Sequence, residues 1–90
     1  PTPHAAIRMT RLLSPPAAVE VTLSADGTPS FITGVFSGSV DPIVRWKVET
    51  EWWNQSVIRE YWKVLLNSNL LCELYHDLNR GEWFVERVYD

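Results

Sequence analysis

The sequence is short of the residues that most often carry metals, redox chemistry or disulfides. Among its 90 residues there are one cysteine, Cys72, and two histidines. A single cysteine cannot form an intramolecular disulfide, and it excludes a zinc site built from several thiolates. Low cysteine usage is typical of the reducing cytosol, so we expect a cytoplasmic location.

Long apolar runs and an excess of positive charge are also missing. No run approaches the about 18 apolar residues of a membrane-spanning helix, and we expect no membrane partner. The N-terminal residues lack the apolar stretch of a signal peptide. Eight Lys and Arg stand against eleven Asp and Glu, which gives a net charge of -3. Because nucleic-acid binding depends on clustered Lys and Arg, this balance argues against non-specific binding to nucleic acid.

The motifs of common catalytic sites are absent from the sequence as well. There is no G-x-S-x-G, no phosphate-binding glycine loop, no H-E-x-x-H and no C-x-x-C. His76 and Asp77 are adjacent, which on a strand directs their side chains to opposite faces and favours a polar strand end that enters a turn. Cys72 alternates with leucines, as a small buried apolar residue does. We therefore expect a protein that is not an enzyme and that uses no cofactor.

Large aromatic residues are what the sequence has in excess, with five tryptophans, three tyrosines and three phenylalanines. Such side chains dominate the energetics of protein cores and interfaces. A chain of this length buries a thin core, so we expect some of these rings to face a partner.

Alternation of apolar and polar residues predicts strands along most of the chain. Residues 19–23 and 43–49 alternate with a period of two. The segment 57–66 fits both helical and strand spacing, and its aromatic and β-branched residues favour a strand. Residues 51–56 break the period and are predicted as a loop or a single helical turn. Gly, Asn and Asp predict turns at 26–29, 67–69 and 79–81.

These elements predict an all-β fold, a small antiparallel sheet of five or six strands curled into an SH3-like or OB-like barrel. Residues 18–90 are expected to form this single domain. Residues 1–17 hold four of the six prolines and are expected to form a linker or N-terminal arm, in which 7–13 is a candidate edge strand. The residues expected in the core are Val21, Trp46, Trp62, Leu74 and Phe84.

The chain begins with Pro1 rather than Met. We therefore expect it to be a domain of a longer protein or a processed chain.

The adjacent tryptophans Trp52 and Trp53 are the first candidates for a partner-binding site. They break the strand period, so one ring is expected to point inwards and the other outwards. The alternative is that both rings fill the core or a corner of it. Exposed Trp and Arg are enriched at binding hot spots, which makes Arg59 a candidate beside them.

A second interpretation uses the same rings to stack the bases of single-stranded nucleic acid. It needs the cations of strands 43–49 and 57–66 to form one patch, which requires that these strands pair. Three glutamates interrupt this group, which favours instead a solvated face with Lys47 near Glu60. The cations concerned are Arg45, Lys47, Arg59 and Lys63.

The order of several phrases over about residues 12–90 resembles a small domain at the C-terminus of ImuB-type proteins, which also occurs as a stand-alone family of unknown function. The ending is closer to the stand-alone form, and Trp62 stands where that family more often has Tyr. The phrases that carry the resemblance are Leu12-Leu13-Ser14-Pro15-Pro16, Val19-Glu20-Val21, Gly27-Thr28-Pro29, Phe31, Arg45-Trp46-Lys47-Val48, Glu51-Trp52-Trp53, Arg59-Glu60-Tyr61-Trp62, Tyr75-His76-Asp77, Gly81-Glu82-Trp83-Phe84 and Glu86-Arg87-Val88-Tyr89-Asp90.

ImuB-type proteins resemble Y-family translesion polymerases but are catalytically inactive hubs that bind the sliding clamp, a RecA-like accessory protein and an error-prone polymerase. The resemblance implies a non-catalytic protein-interaction module of a bacterial DNA-repair and translesion-synthesis assembly, with a polymerase or accessory protein as partner. The sequence has no glutamine-led clamp-binding peptide, so clamp binding is not implied. The alternatives are a small barrel that binds single-stranded nucleic acid and a stand-alone domain of unknown function.

Overall fold

The computed structural model describes residues 10–52 and 54–89, with the backbone alone for residue 52, and all of their regular structure is β-strand. These residues include no helix that could cross a membrane. The all-β prediction is confirmed. The strands are β1 (Thr10–Leu23), β2 (Pro29–Gly34), β3 (Gly38–Trp52), β4 (Gln55–Leu66), β5 (Leu70–Asp77) and β6 (Glu82–Tyr89).

The strands follow one another around a closed barrel. Each pairs antiparallel with its neighbours in sequence, and β1 pairs antiparallel with β6 to complete the ring. This order follows from the short connections, because a tight turn can join two strands only when they are antiparallel. The predicted antiparallel barrel is therefore confirmed, with six strands among the described residues.

The longest ladder joins β3 and β4, from Val40 opposite Leu66 to Trp52 opposite Gln55. Residues 57–66 form a strand, as predicted. The loop or helical turn predicted for 51–56 was wrong, because the break in alternation falls at the tip of one long hairpin. Pairing of β4 with β5 begins at Arg59, so the tip of the β3–β4 hairpin extends past the end of β5.

The first strand begins eight residues earlier than the predicted domain boundary at 18, since β1 starts at Thr10. Residues 10–12 and 17–19 pair with β6 on either side of an irregular segment that contains Pro15 and Pro16. Proline has no N–H to donate, and an irregularity in the ladder accommodates it. Residues 10–17, expected in a linker or arm, are therefore part of the barrel wall. Of the candidate edge strand at 7–13, residues 10–13 belong to β1. Residues 1–9, expected in the arm, lie outside the described residues.

The core fills the inside of the barrel, and most of its buried side chains come from β4, β5 and β6. Trp62 on β4 lies opposite Leu74 on β5, which lies opposite Val85 on β6. All three are buried, with exposed fractions of 3%, 0% and 0%. The prediction of a buried Trp62 and Leu74 is confirmed. The other three residues expected in the core are only half-buried: Val21, Trp46 and Phe84.

The side chain of Asn67, in the turn between β4 and β5, ties this turn to the β2–β3 hairpin. Its Nδ2 donates to the carbonyl of Ser37 at 3.2 Å, and its Oδ1 accepts from the N–H of Ser39 at 3.2 Å. Within the described residues, β2 and β3 share only two Cα pairs, one of them between Ile32 and Gly38. The Asn67 amide therefore adds two hydrogen bonds beside this short pairing.

Replacement of Gly38 by alanine should destabilise the barrel more than the same change at Gly81. Both have positive φ, 146° and 73°, but a Cβ at Gly38 would overlap the Asn67 amide whereas one at Gly81 meets nothing. Gly81→Ala should cost about 1 kcal/mol of backbone strain. Gly38→Ala should cost about 3 kcal/mol, because it also breaks two hydrogen bonds of about 1 kcal/mol each. Urea unfolding measures both, and equal losses would contradict the role of Asn67.

Candidate partner-binding face

Four aromatic side chains form a row across the outer face of the barrel, one from each of β3 to β6. Direct cross-strand pairing places Trp46 opposite Tyr61, Tyr61 opposite Tyr75, and Tyr75 opposite Phe84. Neighbouring residues on a strand point to opposite faces, and the residues next to three of these rings are buried inside the barrel. The row, called the aromatic row below, therefore faces outwards.

The rings of the aromatic row are in contact along its whole length. The centroids of Trp46 and Tyr61 lie 5.3 Å apart with the rings 7° from parallel. Tyr61 and Tyr75 are 5.3 Å apart, and Tyr75 and Phe84 are 5.2 Å apart. These distances favour attractive ring contacts. Tyr75 is only 4% exposed because its neighbours cover it, while the other three rings are half-buried.

Arg59, a predicted site residue, lies on the aromatic row. Its guanidinium carbon is 4.5 Å from the centroid of the Tyr75 ring, and its Nη1 donates to the Tyr61 hydroxyl at 3.3 Å. A carboxylate oxygen of Glu86 is 4.0 Å from Nη1. The hydrogen bond to Tyr61 raises the pKa of Arg59. The guanidinium is thus held against the rings by several of its own neighbours.

Lys63, another predicted site residue, lies on the same outer face in a cluster next to the row. Its ammonium is 5.0 Å from the centroid of the Tyr89 ring, and its cross-strand partner is Glu73. The Tyr89 hydroxyl donates a hydrogen bond to the Glu73 carboxylate, and the Arg87 Nε is 3.8 Å from that carboxylate. Ionisation of Tyr89 would remove this hydrogen bond and leave a phenolate next to the Glu73 carboxylate, so the pKa of Tyr89 is raised. Lys63 is therefore engaged within the domain.

The remaining predicted cations, Arg45 and Lys47, lie on the opposite face of β3 from the aromatic row. Arg45 is the cross-strand partner of Trp62, and Lys47 that of Glu60, so Lys47 is near Glu60 as expected. The Arg45 guanidinium is 3.2 Å from the Glu60 carboxylate and 5.3 Å from the Trp62 ring. The predicted strands 43–49 and 57–66 do pair. Because alternate residues of a strand point to opposite faces, Arg45 and Lys47 lie on one face and Arg59 and Lys63 on the other. The single basic patch is not formed.

Trp52, the first of the two tryptophans proposed as an anchor, belongs to the tip of the β3–β4 hairpin. The backbone of Trp52 forms the last pair of the ladder, with Gln55. Trp53 lies outside the described residues. The expectation that one ring of this pair contacts a partner stays a prediction.

The His76-Asp77 pair and Cys72, the residues considered for catalysis, have structural roles. The His76 ring stacks on Trp83, with centroids 4.3 Å apart, whereas the Asp77 carboxylate accepts the N–H of Asn79 at 3.0 Å in the following turn. This confirms the interpretation as a strand end that enters a turn. Cys72 is fully buried, and burial raises the pKa of its thiol to about 11, so the thiol stays protonated at neutral pH. No three His, Cys, Asp or Glu side chains of the described residues are placed to hold a metal ion.

A groove lies beside the last ring of the aromatic row, where β1 and β6 separate. Its volume is about 540 Å³, and its lining includes Glu20, Val21, Trp83 and Phe84. A groove of this size can take one large side chain of a partner.

The chain was compared with protein families, curated proteins and solved structures, and no family, protein or structure matches it. The resemblance to the ImuB C-terminal domain therefore stays an expectation from the sequence.

The aromatic row as a unit was missed by sequence reasoning, which placed Trp46 and Phe84 in the core. The positions of the turns contain the information that predicts which rings face each other. The turn that brings Leu66 opposite Leu70 also brings Tyr61 opposite Tyr75, because residues equally distant from a hairpin turn face each other.

The tyrosines of the outer face should make the domain less stable in alkali. Burial raises the pKa of Tyr61 and of Tyr75, and the hydrogen bond to Glu73 raises that of Tyr89. A tyrosine whose pKa is higher in the folded than in the unfolded protein contributes to the free energy of unfolding. This contribution is fully present below the unfolded pKa of about 10 and is lost as pH rises through the folded pKa. The urea midpoint should therefore fall above about pH 10.

The variant Tyr89→Phe should lose less stability in alkali than the wild type, because no phenolate forms beside Glu73. Urea unfolding at neutral and alkaline pH measures the difference, and absorbance of the ionised phenol follows the titration. An equal alkaline loss in wild type and Tyr89→Phe would contradict the assignment to Tyr89.

Proposed function

We propose that this domain is a non-catalytic protein-interaction module and that the aromatic row contacts its protein partner. The observation that carries the proposal is the outward position of Trp46, Tyr61 and Phe84, three half-buried rings supported by buried Tyr75. Rings already packed in a sheet lose little conformational freedom on binding. Aromatic residues are also enriched at the centres of protein interfaces.

The charges next to the row favour a protein over a nucleic acid as partner. Arg59 contacts Glu86, and both Lys63 and Arg87 lie opposite Glu73, so these three cations of the outer face have acidic neighbours. The whole chain has a net charge of -3. A nucleic acid would need Lys and Arg that are free to displace its counterions. Base stacking on the row is the second candidate function, and the ring geometry supports it while the charges do not.

The sequence resemblance supports placing the module in a bacterial DNA-repair and translesion-synthesis assembly, with a polymerase or accessory protein as partner. The position of Trp52 at the tip of the β3–β4 hairpin supports a second contact there, and Trp53 is the next residue in the sequence. The groove next to Phe84 supports an anchor side chain from the partner.

The test is a binding titration of the purified domain against the translesion polymerase and the RecA-like accessory protein of its source organism. Phe84→Ala removes the terminal ring of the row and should weaken binding about thirtyfold, the loss typical of a hot-spot aromatic. The matched control is Val35→Ala, because Val35 is an apolar residue that is 81% exposed in the turn between β2 and β3, away from the row. The control should bind like the wild type.

Circular dichroism and thermal unfolding must show that both variants are folded. A folded Phe84→Ala that binds like the wild type would refute the role of the aromatic row. Binding of a single-stranded oligonucleotide that falls steeply with salt and is weakened by Phe84→Ala would replace the proposal by the second candidate.

A further inference from the structure

Within residues 10–52 and 54–89, the edge of β3 that faces away from β4 has no strand partner over most of its length. Among the described residues, β3 pairs with β2 only at Gly38 and Ser39, and it contacts no strand other than β2 and β4. All residues of the segment 41–51 are exposed except Trp46 and Val48, which are half-buried. Such an edge presents free N–H and C=O groups, which a further strand can pair with.

The part of this edge that is suited to pairing is residues 44–52. Pro42 lacks an N–H, and the ladder with β4 is irregular between Pro42 and Val44. At the other end, Trp52 is the last residue of β3. By comparison, residues 10–18 of β1 also have an open edge, but it contains Pro15 and Pro16. The β3 segment has no proline, and its central residue is Val48.

Charges along this segment are antisymmetric about Val48. Two cations precede the centre and two carboxylates follow it, all four on one face of the strand because they alternate with uncharged residues. In an antiparallel pair of two copies centred on Val48, Arg45 lies opposite Glu51, and Lys47 lies opposite Glu49. Symmetry repeats each pair, so four opposite-charge pairs form. A shift of the register by two residues would place Lys47 or Glu49 opposite itself.

We propose that the free edge of β3 is a self-association site at which a second copy of this chain adds antiparallel, with the twofold axis at Val48. Opposite charges directly across an antiparallel pair stabilise it, and like charges destabilise it. An isologous pairing of this kind closes after two copies. It also covers Val44, which is 47% exposed in the single chain.

The dimer goes beyond the proposed function and does not depend on it. Residues directly opposite each other in an antiparallel pair point to the same face, so Trp46 of each copy lies on the same side of the joined sheet. The two aromatic rows would then occupy one continuous outer face. Such a dimer offers a partner two copies of the same surface, which raises its avidity.

The experiment is sedimentation equilibrium of the purified chain at concentrations up to about 1 mM. The wild type should show a twofold rise in weight-average mass with concentration. Glu49→Lys/Glu51→Lys turns all four charge pairs into like-charge pairs and should remain monomeric. This variant keeps Arg45 and its contact with Glu60, so the β3–β4 ladder retains its charge pairing. The matched control Glu20→Lys/Glu82→Lys has the same change in charge at exposed positions outside β3 and should dimerise like the wild type.

A charge-complementation experiment tests the register. Arg45→Glu/Lys47→Glu should also be monomeric alone, yet its equimolar mixture with Glu49→Lys/Glu51→Lys should form heterodimers, because all four pairs are then of opposite charge. We expect the heterodimer to be at least tenfold tighter than either variant with itself. A wild type that stays monomeric throughout would overturn the proposal. So would a dimer that Glu49→Lys/Glu51→Lys leaves intact, or a mixture of two folded variants that does not associate.

Discussion

The pairing of β3 with β4 is the constraint on which the rest of the structure depends. This ladder sets which residues of β4 point into the barrel, and β5 and β6 continue the same alternation. It places Trp62 inside, where it is 3% exposed, and Tyr61 outside in the aromatic row. A shift of the register by one residue would exchange the two faces, which would expose the core and bury the row. Core and candidate binding face are thus two results of a single register.

The same hairpin also produces the open edge. Closing a sheet into a barrel removes unpaired edges only where neighbouring strands have matching lengths. Here β3 is 15 residues long and β2 is 6, so most of β3 extends past its neighbour. The face that β3 shares with β4 presents the rings, and the edge presents backbone groups with an ordered set of charges. The open edge therefore belongs to the part of β3 that extends past β2, whereas the aromatic row crosses all four strands from β3 to β6.

Aromatic and β-branched residues, together with turn residues, were sufficient to predict the strand at 57–66 and the turns that flank β5. They were insufficient to predict whether the Trp46 side chain points into the barrel or outwards. A period of two shows that Val44, Trp46 and Val48 share a face, but it does not show whether that face points inwards. The partner strand decides this, and the inner face of β4 is the one that carries Trp62 and Val64. The pairing of Arg45 with Glu60 likewise depends on a register that composition does not contain.

The β3–β4 register separates a buried core from an outward aromatic row. Cross-strand nuclear Overhauser effects in the purified domain measure this register directly. We expect contacts between the ring protons of Trp46 and Tyr61 and between those of Tyr75 and Phe84, together with contacts from Trp62 to the methyl groups of Leu74. Contacts from Trp46 to Trp62 in place of Tyr61 would contradict it, because they would show the ladder displaced by one residue.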